Sequence, residues 1–239
     1  SCMAMDINLG CSGWVYGLSV LSSLMQTGNI KKAILLAGDA RKQAKEELDQ
    51  LFGYACTATA LEYSKEAKPF YFDLGTDGTG YDAIIRPGGG CRNQFNEDSL
   101  KLELCEDGRK RHAIQTRMKG MDVFAFGITT APKSIKKLTA NYEMDYTSFD
   151  YVILHQANYK MTETIRKKLK LDAEKMPYSM LHFGNTSSAS IPLTIVTQLK
   201  GKIEDKPTKI IGCAFGVGLS WGTVAFETEH LLISELVEV

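Results

Sequence analysis

One pattern occurs twice in this chain and restricts its fold more than any other feature. Residues 3–9 read as a short strand that breaks at Gly10, presents Cys11 and enters an apolar helix from about Trp14 to Met25. The strand-like run KAILLAG (32–38) and a glycine turn around Gly53 follow. Later, residues 178–183 read as a strand that breaks at Gly184-Asn185 and enters an apolar helix over 190–199. The run KIIGCAF (209–215) and a glycine turn around Gly216 complete the second copy. The same order at similar lengths predicts an internal duplication. Helices alternating with wholly apolar strands predict an α/β protein whose strands are covered on both faces. Cys11 and Asn185 then fall at equivalent helix starts, facing one another where the halves meet. Crevices outside the carboxyl ends of strands are where α/β sheets hold ligands.

Local signals organise the rest. Trp14, Leu18, Leu21 and Met25 recur at helical spacing. The charged stretch 41–50 reads as a short solvated helix, and 51–63 as strands meeting at a glycine turn. Strand and turn material fills 70–90, and a polar excursion expected at the surface runs from Cys91 to Arg111. Residues 121–138 predict a helix that Pro132 should kink or restart. Tyr151-Val152-Ile153-Leu154 predicts a strand ending at His155. An amphipathic helix over 159–169 follows, with Arg166, Lys167 and Lys168 at the end its dipole favours.

Composition removes several function classes. With 28 basic and 28 acidic side chains, the chain lacks the charge of a general nucleic-acid or membrane-surface binder. Its six cysteines are scattered with no CxxC pair, so no structural metal site is expected, and the pattern fits a reducing cytoplasm. No apolar run reaches the length that spans a bilayer, and no signal peptide is read. The chain opens at Ser1 on the threshold of a strand, which leads us to expect a longer intact protein.

Three polar residues fall at strand ends. Backbone N–H groups at a helix start favour an anion, which would make Cys11 a reactive thiolate; free cysteines also serve as small buried hydrophobes. His155 stands as a site histidine or a structural one, and Asn185 as a functional amide or a turn and cap residue. Cys213 lies within a strand and reads as core.

The stretches DINLGCSGWVYGL, ILHQANYKM, HFGNTSSASIPL and AFGVGLSWGTVAFE resemble, in order, the signatures of β-ketoacyl-acyl carrier protein synthase III, of the thiolase superfamily. LFGYACTATALEY and MKGMDVFAFGI are similar to further stretches of that family, the second to the helix lining the acyl and pantetheine channel. The resemblance implies a layered αβαβα thiolase-like fold of two duplicated halves, the first half incomplete here. Residues 1–115 would be the remainder of the N-terminal half carrying the nucleophile, and 116–239 the C-terminal half carrying histidine and asparagine.

It also implies a homodimeric cytoplasmic acyltransferase of fatty acid and lipid biosynthesis. Acyl-CoA would load Cys11, and decarboxylative condensation with malonyl-acyl carrier protein would give a 3-oxoacyl product. No cofactor is held permanently; the CoA thioester and the carrier's phosphopantetheine arrive as substrates. By the same resemblance Cys11, His155 and Asn185 match the catalytic trio, and the N–H groups of Cys11 and Val217 the oxyanion hole. Met118, Phe124, Lys160 and Gly216 match substrate-binding positions. Lys160 with Arg166, Lys167 and Lys168 offers a basic face for an acidic carrier protein, or simply a solvated helix face. Departures from the pattern are Tyr54 for an acidic residue, Val217 for a glycine, Trp14 for phenylalanine, Lys160 for arginine and Ala125 for lysine. Competing readings are a synthase or acyltransferase with another acceptor, a Cys-His-Asn hydrolase and an inactive fragment.

Overall fold

The computed structural model describes residues 2–39 and 51–238, so the short helix expected at 41–50 lies outside the described residues. Its centre is a four-stranded sheet of β3 (Tyr71–Thr76), β10 (Ser220–Thr228), β9 (Thr208–Gly216) and β8 (Tyr151–Leu154), in that spatial order. β8 runs parallel to β9; β9–β10 and β10–β3 are antiparallel. Side chains alternate between the two faces of a strand, and both faces are covered. Val152, Leu154, Ile211 and Phe215 pack on α2 (Gly120–Asn141) and α3 (Tyr159–Leu169) through Ile135, Leu138, Ile165 and Leu169. Ile153, Ile210, Ala214 and Val224 pack on α1 (Gly13–Gln26) through Trp14, Val15 and Leu18. Ile191 and Ile195 of the segment beginning with α5 (Ser190–Thr194) complete that layer. Truncating a fully buried side chain such as Ile135 to alanine is expected to cost ~2–5 kcal/mol.

Beyond α1 lies a second sheet, β1 (Lys32–Gly38) antiparallel to β2 (Cys56–Glu62). Among the described residues the stack is therefore α2/α3, sheet, α1/α5, sheet. The two-sided burial expected of KAILLAG is corrected here: Ile34 and Leu36 are 66% and 76% exposed, while Ala37 is buried. An apolar run cannot tell one covered face from two. The strand expected at 3–9 carries no ladder among the described residues, and Met3, Met5 and Ile7 are exposed.

Two further expectations change. Residues 180–183 form a helical turn, α4 (Met180–Phe183), not a strand. The buried Gln156 Oε1 accepts from the backbone N–H of both Ser179 and Met180, satisfying donors at its start. Gly53 turns no hairpin. Phe52 bridges to Asn185, Gly53 N–H donates to the Asn185 carbonyl at 3.0 Å, and Asn185 N–H to that of Leu51 at 2.9 Å. β3, which precedes residue 115, pairs with β10.

The excursion 91–111 is largely exposed, with the hairpin β5 (Glu103–Leu104) and β6 (Lys110–Arg111). It sits between β4 (Ile84–Ile85) and β7 (Arg117–Met118), which pair with each other. α2 runs unbroken across Pro132. Proline cannot donate to the carbonyl of Ile128, four residues earlier. Lys168 Nζ, from α3, donates to that oxygen at 2.9 Å.

Candidate active site

Cys11 sits at the entrance to α1, over Gly216 at the end of β9. A Cβ on Gly216 would lie 2.8 Å from both Cβ and Sγ of Cys11, so only glycine allows the two turns to approach this closely. Val15 presses on Gly222, 3.0 Å from where a Cβ would stand, and this seats α1 against the central sheet. A buried hydroxyl pair, Ser12 Oγ and Ser220 Oγ at 2.7 Å, ties the Cys11 turn to the 216–220 turn. Ser220 Oγ also donates to the Val217 carbonyl at 2.7 Å, fixing that peptide.

The thiolate expected from the helix start is corrected. Burial pushes the Cys11 thiol up to about 11, against the lowering effect of the Ser187 side chain and the Cys11 and Val217 N–H groups; the Asp39 charge adds to the rise. Desolvation here outweighs the helix terminus.

His155 follows β8 and is buried. Its Nδ1 lies 2.8 Å from Ser190 Oγ, and its ring stands edge-on to Phe215 with centroids 5.8 Å apart. Burial lowers its pKa to about 4, partly offset by a Ser187 backbone contact. Asn185 is buried too, between the Leu51 carbonyl and the Gly53 N–H. Its Oδ1 accepts from the Ser187 N–H at 2.9 Å, which leaves Nδ2 as its side-chain donor.

Ser187 N–H thus engages Asn185, and Ser188 Cβ lies 3.4 Å from where a Cβ on Gly13 would stand, so this turn meets the Cys11 turn. At φ 54° Ser187 occupies the left-handed region, which non-glycine residues seldom adopt. Sequence reasoning missed Ser187, Ser190 and Ser220. Each is a small polar residue inside a quoted motif with no local signal of its own. Gln156, beside His155, gave no signal either.

Of the other sequence-derived positions, Gly216 and Val217 adjoin Cys11. Lys160 Nζ stands 6.0 Å from the Phe124 ring centroid, so those two are together. Met118 pairs with Ile84 in β7 and is not part of the hydrogen-bonded cluster. The basic face of α3 is smaller than expected. Arg166 is held by Glu163 and the Leu171 carbonyl, and Lys168 by Ile128. Cys213 is fully buried and its thiol is pushed up to about 12, as a core residue's would be.

Two stacked sheets with a cysteine at the entrance to α1, a histidine at the end of β8 and an asparagine after α4 define the thiolase-like class of fold. Solved structures agree. A 3-oxoacyl-(acyl-carrier protein) synthase from Burkholderia xenovorans LB400 matches with a TM-score of 0.87 and 34% identity, covering all of this chain and 68% of its own. A 3-oxoacyl-(acyl-carrier-protein) synthase III structure matches with a TM-score of 0.86 and 32% identity, covering 93% and 68%. The family descriptions "3-Oxoacyl-[acyl-carrier-protein (ACP)] synthase III" and its C-terminal part match residues 5–78 and 139–228. The chain belongs to the 3-oxoacyl-acyl carrier protein synthase III family. Beta-ketoacyl-[acyl-carrier-protein] synthase III of Clostridium tetani is 31% identical over 227 residues, which are 91% of this chain and 66% of that protein. The chain thus spans about two thirds of the length of the curated relatives it matches.

Proposed function

We propose that the intact protein is a condensing acyltransferase. It would load a short acyl group from acyl-CoA onto Cys11 and join it to malonyl-acyl carrier protein with loss of carbon dioxide. The observation that carries this reading is that Cys11 packs on Gly216, the His155 ring stands against the adjoining Phe215, and the turn following Asn185 meets Gly13 beside Cys11. Cys11 Sγ attacks the thioester carbonyl carbon, and the N–H groups of Cys11 and Val217 hold the oxygen of the tetrahedral intermediate. CoA leaves as its thiol, carrying the proton that Cys11 gives up, so the exchange is proton-neutral.

In the second half-reaction the malonyl thioester loses carbon dioxide and becomes an enolate. Its oxygen sits against His155 Nε2 and Asn185 Nδ2, the polar atoms left over once Ser190 and Ser187 have engaged Nδ1 and Oδ1. A fixed donor at such an oxygen is commonly worth ~3 kcal/mol. The enolate carbon then attacks the acyl-Cys11 carbonyl and expels the Cys11 thiolate, which takes one proton from water as the 3-oxoacyl product departs on the carrier, so each turnover consumes one proton. Gly216, Phe124, Met118 and Lys160 belong to the substrate's approach in this reading, and Lys160 lies within reach of an acidic carrier. The N- and C-terminal division, a homodimer and a cytoplasmic place in fatty acid biosynthesis belong to the same proposal. Among the described residues no helix is long and apolar enough to cross a membrane.

Burial keeps the thiol and the imidazole neutral at pH 7. A papain-like hydrolase needs them as a charged pair, so this disfavours that reading. A synthase using another acceptor remains the second reading, favoured by Val217. Its Cγ1 lies 2.5 Å from where a Cβ on Gly10 would stand, which narrows the space beside the nucleophile. Incubating the full-length protein with acetyl-CoA and malonyl-acyl carrier protein tests the proposal. A 3-oxoacyl product, lost in Cys11→Ser, is expected; carbon dioxide release with no product would overturn condensation.

A further inference from the structure

Serine at a helix N-cap ordinarily turns its hydroxyl back onto the first N–H groups of its own helix. Ser12 stands at the N-cap of α1 and makes no such bond. Its buried side chain leaves the helix and meets the equally buried Ser220 Oγ at 2.7 Å. A hydroxyl has a single proton to give. Ser220 gives its own to the Val217 carbonyl, also at 2.7 Å, so Ser12 is the donor within the pair. The bonds therefore run one way, from Ser12 through Ser220 to Val217.

Packing joins the same two turns on either side of this chain. Cys11 lies over Gly216, and Val217 Cγ1 over Gly10. Apolar contact sets how far apart the turns stand, but it is non-directional and does not fix how a peptide is rotated. Backbone pairing anchors the loop's ends: Ser220 pairs with Gly216, and Leu219 exchanges N–H and carbonyl bonds with Asp77. The Val217 carbonyl, between those anchors, is held by the Ser220 side chain.

We propose that Ser12 and Ser220 are positioning residues, a directed hydroxyl pair that holds Val217 so that its N–H points at the oxyanion formed on Cys11. The inference rests on the acyl transfer to Cys11 proposed above. An oxyanion donor contributes most when it needs no reorientation as the charge develops.

The test compares two reactions of Cys11 in the full-length protein and three variants, both read by mass spectrometry of the Cys11 peptide. One is acetylation by acetyl-CoA. The other is alkylation by iodoacetamide, which displaces iodide from a saturated carbon, develops no oxyanion and so reports the nucleophile alone. Ser220→Ala is expected to slow acetylation roughly tenfold, with half-saturating acetyl-CoA unchanged and alkylation within about twofold of the parent. That loss is smaller than the roughly 10²–10³-fold that follows outright removal of an oxyanion donor. Ser12→Ala leaves the Ser220–Val217 bond in place and should slow acetylation roughly threefold, the lower end of what one hydrogen bond is worth. Ser220→Thr keeps the hydroxyl and should acetylate faster than Ser220→Ala. A purely structural role would slow acetylation and alkylation together, in step with melting temperature, and would overturn the proposal. So would parental acetylation in Ser220→Ala, or Ser220→Thr acetylating no faster than Ser220→Ala. Absence of acetyl-Cys11 in the parent while alkylation proceeds would instead overturn the acyl-transfer reading on which the pair's role depends.

Discussion

The turn carrying Cys11 and the turn carrying Asn185 both lead into helices that cover the same face of the central sheet, yet different forces hold them. The Cys11 turn is fixed by close packing. Gly216 leaves the space that Cys11 fills, and Val15 presses on Gly222. The Asn185 turn is fixed by hydrogen bonds. Its backbone engages Leu51 and Gly53, its side chain engages Ser187, and Ser190 holds the neighbouring His155 ring. A nucleophile must meet a carbon atom at a set distance, which packing enforces. Oxyanion donors need direction, which hydrogen bonds enforce. Ionisation differs as well. Burial raises the acidic group of one turn and lowers the basic group beside the other, so both are neutral near pH 7.

The largest effect is expected from filling the space that packing depends on. Gly216→Ala places a methyl 2.8 Å from Cys11 Sγ. It should abolish acylation of Cys11 while lowering stability by ~1–3 kcal/mol, the usual scale of overpacking. Mass spectrometry of the Cys11 peptide and a urea melt check the two parts.

Next is pH, where the two turns should fail on opposite sides of neutrality. His155 titrates near 6.5 unfolded and about 4 folded, so its contribution is full above 6.5 and is lost as pH falls toward 4. Such a shift corresponds to up to ~3 kcal/mol. Cys11 has the opposite sign: raised from 9.0 to about 11, it destabilises the fold as pH climbs through that window. Urea midpoints at pH 4.5, 7 and 10 should show His155→Gln losing the acid slope and Cys11→Ala losing part of the alkaline slope.

The smallest effect lies away from both turns. Lys168→Met should cost ~1 kcal/mol by leaving the Ile128 carbonyl unpaired. In a Pro132→Ala background, where residue 132 can donate again, that cost should nearly vanish. A double-mutant cycle by thermal melting reads the coupling directly.

Legibility in the sequence followed the same division between local and tertiary causes. β8 at Tyr151–Leu154 and α3 at Tyr159–Leu169 fall where apolar runs and spacing put them, because their signals are local. The placement of His155 was legible because it stands where the β8 run ends. α4 was misread as a strand because its first donors are satisfied by Gln156, 23 and 24 residues earlier in the chain. The thiolate was misread because a helix start is visible in sequence, whereas the desolvation that pushes the half-buried Cys11 thiol up is not. Ser187 was invisible for a related reason. Its N–H reaches Asn185 Oδ1 through a left-handed backbone angle that no sequence pattern announces.

In the function proposed above, packing places the nucleophile and hydrogen bonds place the enolate donors, a claim under which the two half-reactions can be separated. In full-length Asn185→Ala, incubated with acetyl-CoA and malonyl-acyl carrier protein, acetyl-Cys11 should form as in the parent, while carbon dioxide release falls roughly 10²–10³-fold. Loss of the Cys11 label with carbon dioxide release intact would contradict the claim.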